Sequence, residues 1–318
     1  MAINRVEIKN FLVFKGEFAA DFCPGINVII GGNATGKTTL LKCLYDLKRP
    51  HLQYPGDVYD FDSTGSFVDG LLVVSEPKSV AQERKWGTAL LDGVARNLVY
   101  IPEKDILEHA RGLLTFIEDK KTGFGQIYKD VLIKAMDTQT QSQSSMQKTI
   151  VRKIVDTIGG TIHWDKGEGS FYTLRTDGNR IPFASEASGF KKLGFLGLLV
   201  ASGQLRPGTV LLWDEPENSL NPELIPVLVN ILLDLSRNGV QVLVATHNYS
   251  VARYFDVRKS KDIPVLFHKL SKTDTGQIEC YSSPEYIKLP NNHMENASEN
   301  LFKAVVSDGF GIWEDEDE

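Results

Sequence analysis

The sequence predicts an α/β fold built around a mostly parallel sheet, and two observations support this prediction. Three largely apolar segments, 26–30, 209–213 and 240–245, have the composition of strands that are covered on both faces. Helical patterns follow the first two of these segments, at 36–47 and 222–237. Strands that alternate with helices in this way are typical of parallel sheets with helices on their faces.

The N-terminal part of the chain predicts an additional, antiparallel β portion. Its segments have strand-like composition, and Pro24-Gly25 marks the turn before the first buried strand. The predicted strands here are 3–8 and 11–18; after a predicted loop over 49–66, further strand-like segments lie at 67–75 and 97–101.

The central part of the chain predicts helices, because apolar residues recur at helical spacing between 103 and 158. A polar patch over 138–147 interrupts them and is predicted to be a loop tip between two helices. Asn221 is the predicted N-cap of the later helix at 222–237. The remaining predicted elements are short strands at 161–164 and 170–175, a hairpin of 264–270 and 277–282, and a terminal helix near 298–306.

Composition narrows the classes of protein to consider. The chain has 318 residues and 42% hydrophobic content, enough for one large domain or two interleaved lobes with a sizeable core. Its net charge of −6 argues against a protein whose main surface binds nucleic acid. Cys23, Cys43 and Cys280 lack metal-ligand spacing and suit a reducing compartment. No apolar run approaches the ~20 residues of a membrane span, so we expect a soluble, cytoplasmic protein with a solvated acidic tail at 313–318.

A phosphate-binding pattern follows the first buried strand. Residues 31–39 contain the complete G-x-x-x-x-G-K-[ST] pattern between a predicted strand and a predicted helix. Backbone N–H groups of such a loop, together with the helix N-terminus, surround phosphate oxygens. We expect Lys37 to bridge the β- and γ-phosphates of a nucleotide and the Thr38 hydroxyl to bind Mg²⁺. The candidate nucleotide-binding residues here are Gly31, Gly32, Asn33, Ala34, Thr35, Gly36, Lys37, Thr38 and Thr39.

Two carboxylates, Asp214 and Glu215, end the apolar strand predicted over 209–213. Because ligands gather at the C-terminal ends of parallel strands, we expect this pair beside the phosphate loop. Asp214 is a candidate for holding Mg²⁺, directly or through water. Glu215 is the candidate general base that polarises the attacking water.

Two shorter signals complete the candidate site. Ser188 and Gly189 precede a strongly apolar helix, where Ser188 would cap the helix and Gly189 would let an anion approach its N-terminus. Ser-Gly is a common capping pair, and only its position shortly before the paired carboxylates favours a γ-phosphate site. His247 follows the third apolar segment and is expected to hydrogen-bond a γ-phosphate or the water that attacks it.

Together these segments resemble the ABC-type ATPases, and they are most similar to the soluble SMC, RecF and OLD-like heads. The resemblance covers residue 2 to about 270 and is specific in 31–39, 188–189, 213–221 and 246–247. It implies a P-loop NTPase with the ABC-type, two-lobed head as a single domain over 1–318. In that head 1–102 and 205–318 would form the nucleotide-binding lobe, and 103–204 a short helical lobe that carries the signature motif.

The resemblance also implies ATP and Mg²⁺ as cofactors, and catalysis by Lys37, Glu215 and His247. It implies a head-to-tail homodimer in which the Ser188 helix of one subunit faces the nucleotide of the other, with the turn 218–221 as the D-loop across the seam. The signature departs from the family at Phe190 and Lys191. No glutamine stands at the Q-loop, where Glu103 is the candidate by position.

Three functional hypotheses remain open. The leading one is an ATPase whose dimerisation switches a separately encoded effector such as a nuclease or toxin, as stand-alone heads do in bacterial anti-phage systems. The altered signature keeps open a non-hydrolytic ATP sensor or scaffold. The third is a DNA repair or recombination head that binds duplex DNA, which the acidic balance of the chain disfavours.

Overall fold

The computed structural model of the protein describes residues 2–46, 71–75, 82–85, 97–110, 112–113, 126–137 and 143–309. The predicted loop over 49–66 and the acidic tail at 313–318 lie outside the described residues, as does 138–142 of the polar patch. The strands are β1 (Arg5–Phe11), β2 (Phe14–Asp21), β3 (Ile26–Gly31), β4 (Leu71–Ser75), β5 (Gln82–Lys85), β6 (Leu98–Ile101), β7 (Gly160–Asp165), β8 (Ser170–Arg175), β9 (Arg180–Pro182), β10 (Val210–Asp214), β11 (Gln241–Thr246), β12 (Val265–Lys272) and β13 (Ile278–Ser283). The helices are α1 (Lys37–Asp46), α2 (Gln126–Met136), α3 (Ser145–Ile158), α4 (Ser188–Ala201), α5 (Ile225–Arg237), α6 (Tyr249–Arg258) and α7 (His293–Gly309).

A six-stranded sheet in the order β13-β12-β3-β11-β10-β6 forms the centre of the fold. Its strands run parallel except for β13, which pairs antiparallel with β12. The three apolar segments predicted as buried strands are β3, β11 and β10, which are neighbours in the sheet, and all residues of β10 and β11 are buried. The predicted α/β fold with a mostly parallel sheet is therefore confirmed.

A second sheet, in the order β2-β1-β4-β5, is antiparallel, as predicted for the N-terminal residues. The side chain of Gln241, at the start of β11, links the N-terminal sheet to the central sheet. It hydrogen-bonds Ile3, which precedes β1, and Cys23, which follows β2. Its Nε2 donates to the carbonyls of Ile3 at 2.7 Å and Cys23 at 2.8 Å, and its Oε1 accepts from the N–H of Ile3 at 2.7 Å. Because the side chain is buried, these three bonds form a specific link between the sheets.

His268 of β12 is fully buried between two neighbouring strands. Its Nε2 lies 3.2 Å from Asn27 Oδ1 on β3, and its Nδ1 lies 2.8 Å from Ser282 Oγ on β13. A neutral ring that donates from Nε2 and accepts at Nδ1 satisfies both contacts. Burial lowers the pKa of His268 to about 4, so the neutral form is the one present near pH 7.

The helix α3 begins within the polar patch that was predicted to be a loop tip. Ser144 is its N-cap: the hydroxyl accepts from the N–H of Gln147 at 3.2 Å, and the Gln147 side chain accepts from the N–H of Ser144 at 2.8 Å. This reciprocal capping box starts the helix, so residues 145–147 are helical and the prediction was wrong for them.

Glycines in α4 set its distance from two neighbouring elements. A Cβ on Gly194 would lie 2.3 Å from Ile162 Cδ1 of β7, and one on Gly197 would lie 3.2 Å from Ile154 Cγ2 of α3. A larger side chain at Gly194 would require Ile162 to move, and one at Gly197 would make a tight contact with Ile154. The helix is buried along most of its length, as its apolar composition predicted.

Some boundaries differ from the predicted ones. Phe11 ends β1 rather than starting β2, because Leu12, with φ of +50°, makes the turn between them. Asn221 caps as predicted, but Pro222–Leu224 form a 3-10 turn, and α5 begins only at Ile225. Three elements were not predicted from the sequence: the strands β5 and β9 and the short helix α6. The predicted division into lobes at 102/103 and 204/205 stays a prediction.

The C-terminal helix α7 is longer than the predicted 298–306, and it leaves Leu301, Phe302 and Val305 exposed. None of the helices in the described part of the chain is long and apolar enough to cross a membrane.

Candidate functional site

The phosphate loop joins β3 to α1, as predicted, at the C-terminal edge of the parallel sheet. Gly36 has φ of +89°, and a Cβ there would lie 2.8 Å from Val13 Cγ2 and 2.9 Å from Phe14 Cζ. Glycine is therefore required at this position by both the backbone and the neighbours. The Thr35 hydroxyl donates to the carbonyl of Gly32 at 2.9 Å and closes the turn.

Lys37, the first residue of α1, places its ammonium group inside this loop. Its Nζ donates to the carbonyls of Gly31 at 2.8 Å and Gly32 at 3.0 Å, and the residue is only 7% exposed. Burial lowers the pKa of Lys37, while the negative charges of Glu215 and Asp214 oppose that shift. The Lys37 ammonium group therefore lies in the phosphate loop, near the carboxylates. There its positive charge can pair with a bound phosphate group.

Asp214 ends β10 and is buried. Burial raises the pKa of its carboxyl to about 6, the Glu215 charge adds to this, and the hydroxyls of Thr38 and Tyr100 oppose it. Tyr100 donates to Oδ2 at 3.3 Å, whereas Oδ1 is buried and accepts no hydrogen bond among the described residues. A carboxylate oxygen with no partner, beside the Thr38 hydroxyl, fits a hard cation such as Mg²⁺.

The described residues contain no cluster of three or more His, Cys, Asp or Glu side chains that would hold a metal ion by themselves. With Thr38 and Asp214 as the protein donors, Mg²⁺ would take its other ligands from phosphate and water.

Glu215 and His247 form a hydrogen-bonded pair across two neighbouring strands. The His247 Nδ1 lies 2.9 Å from Glu215 Oε1, and both residues follow directly after β10 and β11. Glu215 has φ of +46°, an uncommon conformation for a residue with a side chain. Its N–H donates to the carbonyl of Ala245 at 2.8 Å, and its carbonyl accepts from Lys192 Nζ at 3.0 Å. These bonds hold the strained turn from both sides.

The signature segment is arranged differently from the prediction at one point. Ala187, not Ser188, is the N-cap of α4, and no side chain caps this helix end. The predicted cap was wrong because Ser188 already has helical geometry and its side chain is exposed. The space where a side chain would stand at Gly189 is occupied by Leu220 and Leu224 of the same chain. Their Cδ1 atoms lie 3.2 and 3.4 Å from a Cβ placed on Gly189.

Both residues at which the signature departs from the family, Phe190 and Lys191, face inward. Lys191 is buried, and its Nζ donates to Glu108 Oε2 at 2.6 Å and to the carbonyl of Ala184 at 3.1 Å. Phe190 is half-buried against the core, with the guanidinium of Arg175 5.9 Å from its ring centre.

The structure therefore brings Lys37, Thr38, Asp214, Glu215 and His247 together at one edge of the sheet. Among the described residues, no hydrogen bond or ion pair joins Ser188 or Gly189 to the phosphate loop of the same chain.

Solved SMC heads have the same fold. The Smc head bound to the C-winged helix domain of ScpA has a TM-score of 0.52 and 15% identity over 89% of this chain and 98% of that one. A Smc head with an extended coiled coil, bound to the C-terminal domain of ScpA and derived from Pyrococcus furiosus, has a TM-score of 0.52 and 12% identity over 95% of this chain and 99% of that one. Identities at this level show the fold alone.

Two family models match separate parts of the chain. Residues 1–85 match the family described as AAA ATPase domain. Residues 109–253 match the family described as AAA domain, putative AbiEii toxin, Type IV TA system. Both of these family models are for AAA-type ATPase domains, and the fold of this chain is the one found in SMC heads.

Curated ATP-binding proteins match this chain locally. The L-cystine import ATP-binding protein TcyN of Bacillus subtilis (strain 168) is 31% identical over 96 residues, which are 27% of this chain and 37% of the relative. The energy-coupling factor transporter ATP-binding protein EcfA of Methanothermobacter thermautotrophicus is 31% identical over 80 residues, 25% of this chain and 24% of the relative. The chain thus spans less than two fifths of the length of either relative.

No role was predicted from the sequence for several residues of the candidate site. Tyr100 reaches Asp214 from the neighbouring strand, 114 positions earlier in the chain. Lys192 reaches the carbonyl of Glu215, and Glu217 accepts from the Thr246 hydroxyl at 2.5 Å. The sequence signal that could have drawn attention to Glu217 is its position two residues after Glu215, the predicted base. Glu103, the Q-loop candidate, accepts from the side chain of Asn218 in the D-loop turn at 2.9 Å.

Proposed function

We propose that this protein binds and hydrolyses ATP with Mg²⁺, and that Glu215 is the general base. The observation that carries the proposal is the 2.9 Å bond between Glu215 and His247, formed at the same sheet edge as Lys37 and Asp214. A base, a group that orients it, a phosphate-binding cation and a metal-binding carboxylate are the parts that phosphoryl transfer to water requires.

The residues of the site take separate roles in this mechanism. Lys37 supplies positive charge to the β- and γ-phosphates, and the N–H groups of the loop bind their oxygens. Thr38 and Asp214 would hold Mg²⁺, which neutralises charge on the phosphates when it is bound. Glu215 accepts a proton from the attacking water, and His247 orients Glu215 through its Nδ1 contact.

ATP turnover of Glu215→Gln tests the proposal. We expect a loss of about 10²-fold or more in kcat, because removal of a general base costs this much, with ATP binding retained. Lys37→Ala is expected to abolish ATP binding instead, since it removes the cation of the loop. Glu223→Gln, an exposed carboxylate of the turn before α5, is the matched control and keeps wild-type turnover. Equal, background-level hydrolysis by wild type and Glu215→Gln would contradict the proposed activity and favour an ATP sensor.

A head-to-tail dimer around the nucleotide is the second part of the proposal. The exposed Ser188 at the start of α4 and the exposed Ser219 of the D-loop turn support it, as does the likeness to SMC heads. Glu215→Gln with ATP is expected to double its mass in light scattering, because it binds ATP without hydrolysing it. The same variant with Ser188→Arg stays monomeric if the Ser188 helix contacts the nucleotide of the partner; a dimer in that variant contradicts the composite site.

The proposed output of the dimer is control of a separately encoded effector in the cytoplasm. One matched family is described as an AAA domain, putative AbiEii toxin, of a type IV toxin–antitoxin system, which supports a function in a two-component system with a separately encoded partner. Co-purification of the products of adjacent genes, with and without ATP, tests this proposal. Duplex DNA binding that weakens steeply with salt, in the absence of such a partner, would instead favour a DNA repair head.

A further inference from the structure

Glu217 lies two residues after the proposed base, in the turn that follows β10. Its side chain is only 4% exposed. Oε1 accepts from the Thr246 hydroxyl at 2.5 Å and from the backbone N–H of His247 at 3.3 Å. Oε2 is buried and accepts no hydrogen bond among the described residues. Because burying a half-satisfied carboxylate costs free energy, packing alone does not account for an acid at this position.

The electrostatic surroundings of Glu217 connect it to three parts of the site. Burial raises the pKa of its carboxyl, and the Thr246 hydroxyl opposes this. Its negative charge in turn raises the pKa of Lys37 in the phosphate loop and of Lys192 in α4, against the lowering by burial. The carboxylate thus contacts the end of β11 and is near enough to Lys37 and Lys192 for its charge to act on both.

The contacts of Glu217 act on the backbone on both sides of His247. Glu217 binds the N–H of His247 itself, and the Thr246 hydroxyl that donates to Glu217 accepts from the N–H of Asn248 at 2.9 Å. The imidazole is 54% exposed, with its Nδ1 2.9 Å from Glu215 Oε1 and 3.9 Å from Glu217 Oε1. Fixing the backbone at 246–248 is therefore what keeps a largely exposed ring against the base.

We propose that Glu217 is a positioning residue that holds His247 against Glu215. The proposal rests on the proposed function, since it assigns Glu217 a part in the same reaction. Glu217 acts through His247 and Thr246 rather than by contact with the nucleotide. Its loss should therefore change the rate of the chemical step and leave ATP affinity nearly unchanged.

Steady-state kinetics of Glu217→Met test this assignment, because Met keeps the length of the side chain and removes both oxygens. We expect kcat to fall about 10- to 100-fold, the cost of misplacing a catalytic group by ~1 Å, with the KM for ATP within about 3-fold of wild type. Glu217→Gln keeps an oxygen acceptor for Thr246 and is expected to recover most of the loss. In a His247→Ala background, Glu217→Met should cause no further loss; additive losses there, or a raised KM with unchanged kcat, overturn the proposal.

A second readout does not depend on turnover. NMR of protein labelled in its histidine rings, with the His247 signal assigned by its loss in His247→Ala, reports the environment of that ring. Glu217→Met is expected to shift the His247 signal and leave that of the distant, buried His268 in place. An unchanged His247 signal overturns the positioning role even if wild type proves inactive, whereas inactive wild type with a shifted signal contradicts only the proposed hydrolysis.

Thr246 provides a second route if Glu217→Met fails to fold. Thr246→Val removes the hydroxyl that joins Glu217 to the N–H of Asn248, and Thr246→Ser keeps it. We expect the Val variant to show the same loss of kcat with preserved KM and the same shift of the His247 signal, and the Ser variant to resemble wild type. Identical behaviour of the two variants would overturn the proposal.

Discussion

At Asp214 the structure shows a carboxylate that is compensated by hydroxyl groups rather than by a paired cation. Burial and the adjacent Glu215 raise its pKa to about 6, against the effect of Thr38 and Tyr100. The sequence located Asp214 because a carboxylate after an apolar strand is a local signal. It could not locate Tyr100, since that contact depends on which strands become neighbours in the sheet.

The raised pKa of Asp214 predicts a pH-dependent gain in stability for Asp214→Asn without nucleotide. A folded-state pKa near 6, above the ordinary 3.8, means that ionisation of Asp214 costs stability as pH rises from about 4 to 6. The Asn variant avoids that cost, so we expect it to be more stable at pH 7.5, on the order of 2 kcal/mol. Thermal melts at pH 7.5 and pH 4 check this, with the exposed Asp274→Asn as control. The gain should shrink toward pH 4, and a lower melting temperature of Asp214→Asn at pH 7.5 would refute the argument.

At the scale of elements, α4 shows which features of a helix its sequence predicts and which it does not. Its apolar composition predicted a buried helix, and that is what forms. The N-cap was wrong by one residue, because the backbone of Ala187 is extended and Ser188 is already helical. The tight contacts of Gly194 and Gly197 with β7 and α3 were not predictable, since a glycine in a helical pattern does not reveal which side chain will face it.

Substitution of Gly194 by Ala should destabilise the packing of α4 on β7. The added Cβ would lie 2.3 Å from Ile162 Cδ1, so the end of the Ile side chain must move, toward the apolar cavity that both residues line. We expect a net loss of about 1–2 kcal/mol, after the higher helix propensity of Ala has offset part of the strain. Urea unfolding measures this loss, and Ile162→Val in the Gly194→Ala background should recover part of it by removing Cδ1. An increase in stability from Gly194→Ala alone would show that the contact relaxes freely.

At the scale of the whole molecule, the sequence predicted a mostly parallel central sheet, but it predicted neither the order of the six strands nor the joint between the two sheets. That joint depends on Gln241, a polar residue at the start of an apolar strand, whose partners Ile3 and Cys23 are more than 200 positions away. A glutamine at a strand start is ordinarily solvated, so sequence alone gave no reason to expect a buried link.

Gln241→Met should weaken the attachment of the N-terminal sheet. The substitution keeps the length of the side chain but leaves the N–H and carbonyl of Ile3 without their partner, while the carbonyl of Cys23 keeps its second donor, Asn27 Nδ2. We expect a loss of about 2–4 kcal/mol in the free energy of unfolding, because buried backbone groups become unsatisfied. Chemical denaturation measures it, with the half-buried Gln204→Met as control. Equal midpoints for wild type and Gln241→Met would show that water replaces the lost bonds.

The buried His268 gives the whole molecule a particular response to mild acid. Its folded-state pKa near 4 lies below the ordinary 6.5, so its contribution to stability is lost as pH falls through that interval. Asp214 acts in the opposite direction over nearly the same interval, so the two effects offset each other in the protein without nucleotide. Mg²⁺ and ATP bound at Asp214 would lower its pKa and remove the offset. The nucleotide-bound protein should then be the form whose stability declines on acidification.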